Sequence, residues 1–345
     1  MNAVVYYAPG DIRYEEVPNP VCGEGEILVK VDACAVCGTD LKSKLNGNPR
    51  IKAPLIMGHE FTGITESGDR IVMATSIACG QCFYCKQGFR NLCSELAPMG
   101  FSYPGGMAQY VVLPKAALDG GHVIKVPAGV PAQLAALAEP ASCAVNAVSQ
   151  SFTLAGDTAS RPRNVLIMGA GPMGLLNAVI ARSMTNQAGA VKVFLTETNP
   201  LRRKQAEQFD VDVIIDPLDE DVDGIIRKQT GNLGVDIVIV AAPAAAPQEQ
   251  ALSFVRKRGV VCLFASLPAG KSALSIDSRL IHYGELRVIG SSDSAPHHVQ
   301  EAVSAIQKNP ETFAKIASHR LPLADFEKAF ELMKSGAALR VVLLP

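Results

Sequence analysis

Between residues 1 and 148 the apolar positions come in short runs, 27–33 and 110–113 among them, and Gly and Pro interrupt them repeatedly. Short β-prone runs closed by such breakers predict an irregular antiparallel β domain. The pattern changes near Ser149. From Asn164 onward, the runs 165–168, 191–196, 211–215, 235–241 and 260–264 are nearly continuously apolar. Strands of that kind are buried on both faces, as in a parallel sheet. The segments 174–183 and 199–209 between them read as crossover helices. Strand and helix in alternation predict an α/β, doubly wound parallel sheet over 149–287. After an apolar stretch at 288–291, amphipathic helices are expected near 298–308 and 324–335. The closing run 340–344 reads as a strand returning to the first domain, so that 288–345 completes 1–148.

Composition narrows the class. The chain has 345 residues, which makes two domains the starting expectation. Hydrophobic residues make up 48% and charged residues 19%, ample for large cores and far from a disordered chain. Lys and Arg total 32 against 33 Asp and Glu. That balance leaves no excess positive charge for nucleic-acid phosphates or anionic lipid, so neither is an expected partner. No stretch of about 20 residues is apolar without charges or breakers, so no membrane span is expected. The N-terminal segment 1–16 alternates like a strand and has no basic stretch followed by an apolar run. No secretory signal is read there, and a cytoplasmic protein is expected. Nine cysteines, an odd number without such a signal, argue against a disulfide framework.

The run 165–168 leads into Gly169-Ala-Gly171-Pro172-Met173-Gly174, a GxGxxG between a predicted strand and a predicted helix. Gly169 allows the tight turn, Gly171 lets backbone approach a pyrophosphate, and Gly174 permits close helix–strand packing. The helix N-terminus then offers free N–H groups to the phosphates. Glu197, at the end of the next strand, is placed to accept from an adenosine ribose. It lies farther along than the usual spacing of about 20 residues, and the polar stretch 183–190 absorbs the difference as a loop. The Glu197 carboxylate favours NAD, while Arg202 and Arg203 nearby leave NADP open. The alternative is a glycine turn serving another ligand or none.

Cys79, Cys82, Cys85 and Cys93 make two successive CxxC spacings and a fourth cysteine close behind. Four thiolates close a tetrahedral shell around Zn²⁺ and leave no open position, which is the logic of a structural site. An iron–sulfur cluster uses the same donors; four unligated cysteines are the plain alternative. Cys34 and Cys37 form a further CxxC. Cys37-Gly-Thr39-Asp40, Gly58-His59-Glu60 and, much later, Ala138-Glu139-Pro140 offer Cys, His and Glu. Three such ligands leave a position for water or an alcohol, and an ion there acts as a Lewis acid on a bound hydroxyl.

These motifs, in this order along essentially the whole chain, resemble the zinc-dependent medium-chain alcohol dehydrogenases. The polyol branch (sorbitol, xylitol and galactitol-phosphate dehydrogenases) is most similar, with threonine dehydrogenase near it. The resemblance implies a GroES-like catalytic domain around a Rossmann NAD-binding domain, two zinc ions per chain, and a homo-oligomer, dimer or tetramer. It implies that Cys37, His59 and Glu139 hold the catalytic zinc, Glu139 directly or through water. Glu60 ligates in some members and sits beside the ion in others. Thr39 passes the substrate proton, Asp40 orients His59, and Met173, Glu197 and Arg202 contact NAD. Residues 264–266 and 291–293 border the nicotinamide in related enzymes.

Two departures bear on substrate. Lys42 stands where many relatives finish the proton relay with a histidine, and Ser43 replaces an aromatic of sorbitol dehydrogenases, whose substrate arginine near Asp293 is also missing. Lys42, Lys44 and Arg50 could instead meet a phosphate or carboxylate, or form a solvated basic loop. The leading expectation is NAD-linked oxidation of a secondary alcohol of a small polyol, sugar alcohol or sugar-alcohol phosphate. An L-threonine 3-dehydrogenase shares every motif, and a non-catalytic dinucleotide-binding member is a further alternative. Cys143 reads as a packing residue, His297-His298 as surface, and Cys22, Cys262, His122 and His319 show no constellation.

Overall fold

The computed structural model describes residues 1–156, 161–184 and 190–345. The loop expected at 183–190 therefore lies mostly outside the described residues. The chain divides into two compact units, Met1–Ser142 with Asp293–Pro345, and Cys143–Ser292. The boundary expected at 148/149 falls within the helix Ala138–Ala155, and the first unit ends earlier, at Ser142.

The first unit is organised on strand Ile27–Ala35, which pairs antiparallel with Glu60–Thr65, Tyr110–Leu113 and Val341–Leu344. Arg70–Met73 and Val123–Lys125 extend the sheet on one side and His319–Pro322 on the other. A smaller sheet joins Asn2–Ala8 to Asp11–Glu16 and Leu55–Ile56. Val29, Val31, Phe61, Met107, Leu113 and Phe330 share one buried core. Each side chain of that size stabilises the fold by about 1.5–3 kcal/mol when removed from water.

Register assembles the site. Ala35 stands opposite Glu60 on one side and Val342 on the other. Continuing past Ala35 leads to Cys37, while the antiparallel neighbours run back to His59 and to Arg340. Three strand ends thus deliver Cys37, His59, Glu60 and Arg340 to one place. A one-residue slip in either ladder would turn these side chains to the wrong face.

The β reading of 1–148 needs two corrections. Helix Gly38–Asn46 follows the central strand, and helix Ala138–Ala155 closes the segment. The first is mostly polar and the second is rich in small buried residues, so neither shows a plain apolar stripe.

The second unit is a six-stranded sheet among the described residues, parallel throughout. Its order is Val213–Ile215, Val191–Thr196, Arg163–Met168, Val235–Val240, Val255–Leu263, Arg287–Gly290. Arg163–Met168 and Val235–Val240 are buried at every position, which is why their sequence runs so uniformly apolar. The polar exceptions in these two strands are Arg163, Asn164 and, most deeply buried, Asp236. Its carboxylate accepts from Arg161 at 2.6 Å, Arg256 at 2.5 Å and the Asn164 N–H at 2.8 Å, so the buried charge is paired. Strand Val255–Leu263 begins before the apolar run expected at 260 because Val255 already pairs with Val235, ahead of a register shift that brings Val260 opposite Ile237. No described helix is long and apolar enough to cross a membrane.

Candidate metal centres and dinucleotide loop

The four cysteines of the 79–93 segment converge, with every pair of sulfur atoms within 4.8 Å. Gly80 and Gly88 take φ of +73° and +88°, turning the chain around the short helix Phe83–Lys86. Cys82 Sγ lies 3.5 Å from Cys85 Sγ and 3.9 Å from Cys93 Sγ. Four sulfurs about 2.3 Å from a central ion would stand about 3.8 Å apart, so a tetrahedral zinc fits. The N–H groups of Cys79 and Glu95 donate to Cys93 Sγ at 3.2 and 3.3 Å, and that of Cys82 donates to Cys79 Sγ at 3.4 Å. Backbone N–H donors from Cys85 and Ser94 pull the Cys82 thiol down to about 6, while burial pushes Cys85 up to about 12. His122, expected to stand alone, braces the entry to this lobe. Its Nδ1 lies 3.0 Å from the Ala74 carbonyl, and its Nε2 accepts the Ala78 N–H at 3.3 Å. Burial holds its pKa below the ordinary value.

A second set is assembled from separate segments. Cys37 caps the helix Gly38–Asn46, and the Asp40 carboxylate accepts the Cys37 N–H at 2.9 Å. Asp40 Oδ1 is also 3.6 Å from His59 Nδ1, so one buried carboxylate faces both residues. Only glycine serves before His59: Gly58 has φ +97°, and a Cβ there would meet Cys34 Sγ at 2.7 Å. Donor atoms of Cys37, His59 and Glu60 lie within 4.8 Å of one another. Glu60 is fully buried, and neither oxygen has a hydrogen-bond donor among the described residues. Arg340 Nη2 stands 3.0 Å from Glu60 Oε1, near enough for an ion pair but not aligned as a hydrogen bond. Arg340 is itself buried and donates to the Val36 carbonyl at 3.2 Å. A buried carboxylate with unsatisfied oxygens is costly unless a cation completes it. Burial alone would lower the His59 pKa, but the charges of Asp40 and Cys37 outweigh it and hold the imidazole well above its ordinary 6.5. A divalent ion fits this donor set, taking the place of the protons.

Glu139 is not in that triad. Its carboxylate lies within 4.8 Å of Asp293. Burial pushes its pKa up to about 8, against the pull of His59 and with Glu60 and Asp293 adding to the rise. Asp293 has φ +56°, accepts the Ser294 N–H at 2.8 Å and accepts from Ser76 Oγ. Thr39 Oγ1 is 3.6 Å from Cys37 Sγ. Lys42 is exposed on the same helix, whereas Ser43 is buried and donates to the Thr39 carbonyl at 2.9 Å. Lys44 pairs with Glu327 and lies over the Phe330 ring.

In the second unit, strand Arg163–Met168 ends at Gly169, with φ +107°, and helix Pro172–Ser183 starts from Gly171. A Cβ on Gly174 would fall 1.8 Å from the Gly169 carbonyl oxygen, so glycine alone permits this packing. Pro172 fills the first helical position, where no N–H is needed. Met173 is half-buried in that first turn. Glu197 braces the loop: Oε2 accepts the Ala170 N–H at 2.8 Å and Oε1 the Asn199 N–H at 2.8 Å. Arg203 is engaged elsewhere, 2.6 Å from Asp216 and donating to the Glu197 and Thr198 carbonyls. Arg202 Nη1 comes within 4.0 Å of where a Gly171 Cβ would be, so its charge faces the glycine turn.

Two residues escaped the sequence reading. Arg340 was hidden in an apolar run, its charge the one cue. The pair His297-His298 is surface only in part: His297 is exposed, but His298 is buried and its Nδ1 accepts the Ala295 N–H at 3.0 Å, capping helix Pro296–Lys308. Neighbours on a helix point apart, so one faces water and the other the core.

Comparison with known proteins agrees with this arrangement. The family of the alcohol dehydrogenase GroES-like domain matches residues 23–128, and that of the zinc-binding dehydrogenases matches residues 172–308. The chain is 29% identical to a sorbitol dehydrogenase of Halalkalibacterium halodurans, over 98% of this chain and 97% of that protein. It is 34% identical to an L-threonine 3-dehydrogenase of Pyrococcus furiosus, over 95% of this chain and 93% of that one. An alcohol dehydrogenase structure from Thermotoga maritima superposes with a TM-score of 0.89 at 26% identity, covering 100% of this chain and 99% of that one.

Proposed function

This chain belongs to the zinc-dependent medium-chain alcohol dehydrogenases, and on that premise we propose that it oxidises a secondary alcohol of a small polyol, sugar alcohol or sugar-alcohol phosphate. Zinc and NAD are the cofactors. Cys37, His59 and Glu60 would hold the catalytic ion, with Glu139 approaching it through water, and the four cysteines of the lobe would hold the structural one. Held there, the ion would supply Lewis-acid polarisation of the substrate hydroxyl, and NAD would supply the hydride acceptor.

The protein's own groups do the rest. Thr39 receives the hydroxyl proton, and Lys42, one helical turn further on, opens its route to water. Asp40 fixes the orientation of His59 and the position of the Cys37 backbone. Arg340 offsets part of the Glu60 charge, which leaves that carboxylate a weaker and more easily displaced donor. The amide groups around Gly171 bind the pyrophosphate, Arg202 adds positive charge, and Glu197 holds the turn open while accepting from the adenosine ribose.

The observation that carries this reading is the convergence of thiol, imidazole and carboxylate within 4.8 Å. The test is NAD reduction across a panel of polyols, amino alcohols and their phosphates, beside zinc content. Two zinc ions per chain are expected, with mild chelation removing one together with activity. Absence of NAD reduction across the panel overturns the reading. A second reading, L-threonine 3-dehydrogenase activity, is favoured by the higher identity to the Pyrococcus furiosus enzyme. Relative rates on L-threonine and sugar alcohols separate the two.

A further inference from the structure

We propose that Arg50 selects substrates that carry an anionic group, a carboxylate or a phosphate monoester, beside the reacting alcohol; the inference rests on the dehydrogenase reading above. The Arg50 guanidinium carbon lies 5.1 Å from the centroid of the Phe101 ring, and that ring lies 5.1 Å from the His59 imidazole. Phe101 is only 5% exposed, so packing sets where it stands. The cation is therefore held one aromatic layer from a donor of the metal set. A guanidinium lying on a ring keeps its in-plane N–H groups available to a second partner.

Among the described residues nothing takes those donors. The Arg50 backbone N–H donates to Asn48 Oδ1 at 3.0 Å, while its exposed side chain has no hydrogen-bond partner or ion pair among the described residues. Lys44 shows the contrast, since its ammonium is already matched by Glu327. Residues 41–59 contain Lys42, Lys44, Arg50 and Lys52 and no Asp or Glu. The charged residues of the segment approaching His59 are thus all basic, and Arg50 is the one among them seated on Phe101. A neutral polyol offers that guanidinium only hydroxyls. A carboxylate or phosphate offers two parallel charge-assisted bonds.

Steady-state kinetics with NAD on the zinc-loaded enzyme test this, using D-sorbitol, D-sorbitol 6-phosphate and L-threonine on the wild type, Arg50→Gln and Arg50→Lys. The wild type should prefer an anionic substrate over D-sorbitol in kcat/KM. Arg50→Gln should reduce that preference about tenfold or more, chiefly through KM, and Arg50→Lys should restore part of it. A readout free of turnover is the thermal shift produced by each anion alone, expected to shrink in Arg50→Gln while the unliganded Tm stays put. Whichever anion shows both effects identifies the group recognised. Equal preference in wild type and Arg50→Gln overturns the proposal and leaves the dehydrogenase reading intact. No NAD reduction with any substrate of the wider panel removes that reading, and this one with it.

Discussion

The two candidate metal centres of the first unit are built in opposite ways. The lobe takes all its donors from one short stretch, Cys79 to Cys93, closed by two glycine turns and a four-residue helix. The triad takes Cys37 from a helix cap and His59 and Glu60 from a strand end, with Arg340 arriving from a third strand. A local loop can form its site from spacing alone. A dispersed site exists only when the sheet has the correct register. The donors divide accordingly: four sulfurs saturate an ion and stabilise, whereas three mixed donors leave room for chemistry.

The sharpest break between the two comes from removing one thiol in each. Cys37→Ser should lower kcat/KM by about a thousandfold or more, since the Lewis acid supplies several kcal/mol of barrier reduction. Zinc analysis should then find one ion per chain, with little change in Tm. Cys85→Ser should do the reverse, lowering Tm by about 10 °C or more while folded enzyme stays active. Equal loss of both ions in either variant would collapse the distinction.

Arg340→Met probes the charge behind the triad. It leaves the buried Glu60 carboxylate without its guanidinium, and breaking such a pair costs about 3–5 kcal/mol. Urea unfolding should show that loss in full for metal-free protein and a smaller one with zinc present, because the ion supplies countercharge. A further, smaller effect belongs to neither centre. Burial, with His297 adding to it, pushes His298 down to about 4 from 6.5, so the folded state holds it neutral where the unfolded chain takes up a proton. The contribution is full above pH 6.5 and fades as pH falls toward 4, by at most about 3 kcal/mol. Stability titrations should lose that acid slope in His298→Gln, and a slope unchanged by the substitution would assign it to the metal ligands instead.

The same contrast explains what was legible in the sequence. The cysteine lobe and the glycine turn could be read because their chemistry depends on neighbours a few residues away. The parallel strands could be read because burial on both faces forces unbroken apolar runs. The helices Gly38–Asn46 and Ala138–Ala155 were not legible, one too polar and the other too uniformly small to show a periodic stripe. Arg340 could not be found because its role arises from the pairing of Val342 with Ala35, a relation invisible to local pattern. The lone charge in an apolar run was a cue without an address. Arg50 was visible as a cation, but its seat on Phe101 was not.

The pairing of Val341–Leu344 with Ile27–Ala35 also has a kinetic consequence. About three hundred residues separate the partners, and closing a loop of that length costs about 5 kcal/mol of chain entropy. Collapse of the intervening Cys143–Ser292 segment shortens the effective tether and lowers that barrier. Pulse-labelled hydrogen exchange should therefore show the amides of Val235–Val240 protected before those of Val341–Leu344. The carboxylate at Glu60 would then meet its guanidinium only late in folding, and metal capture by the triad would trail that of the lobe.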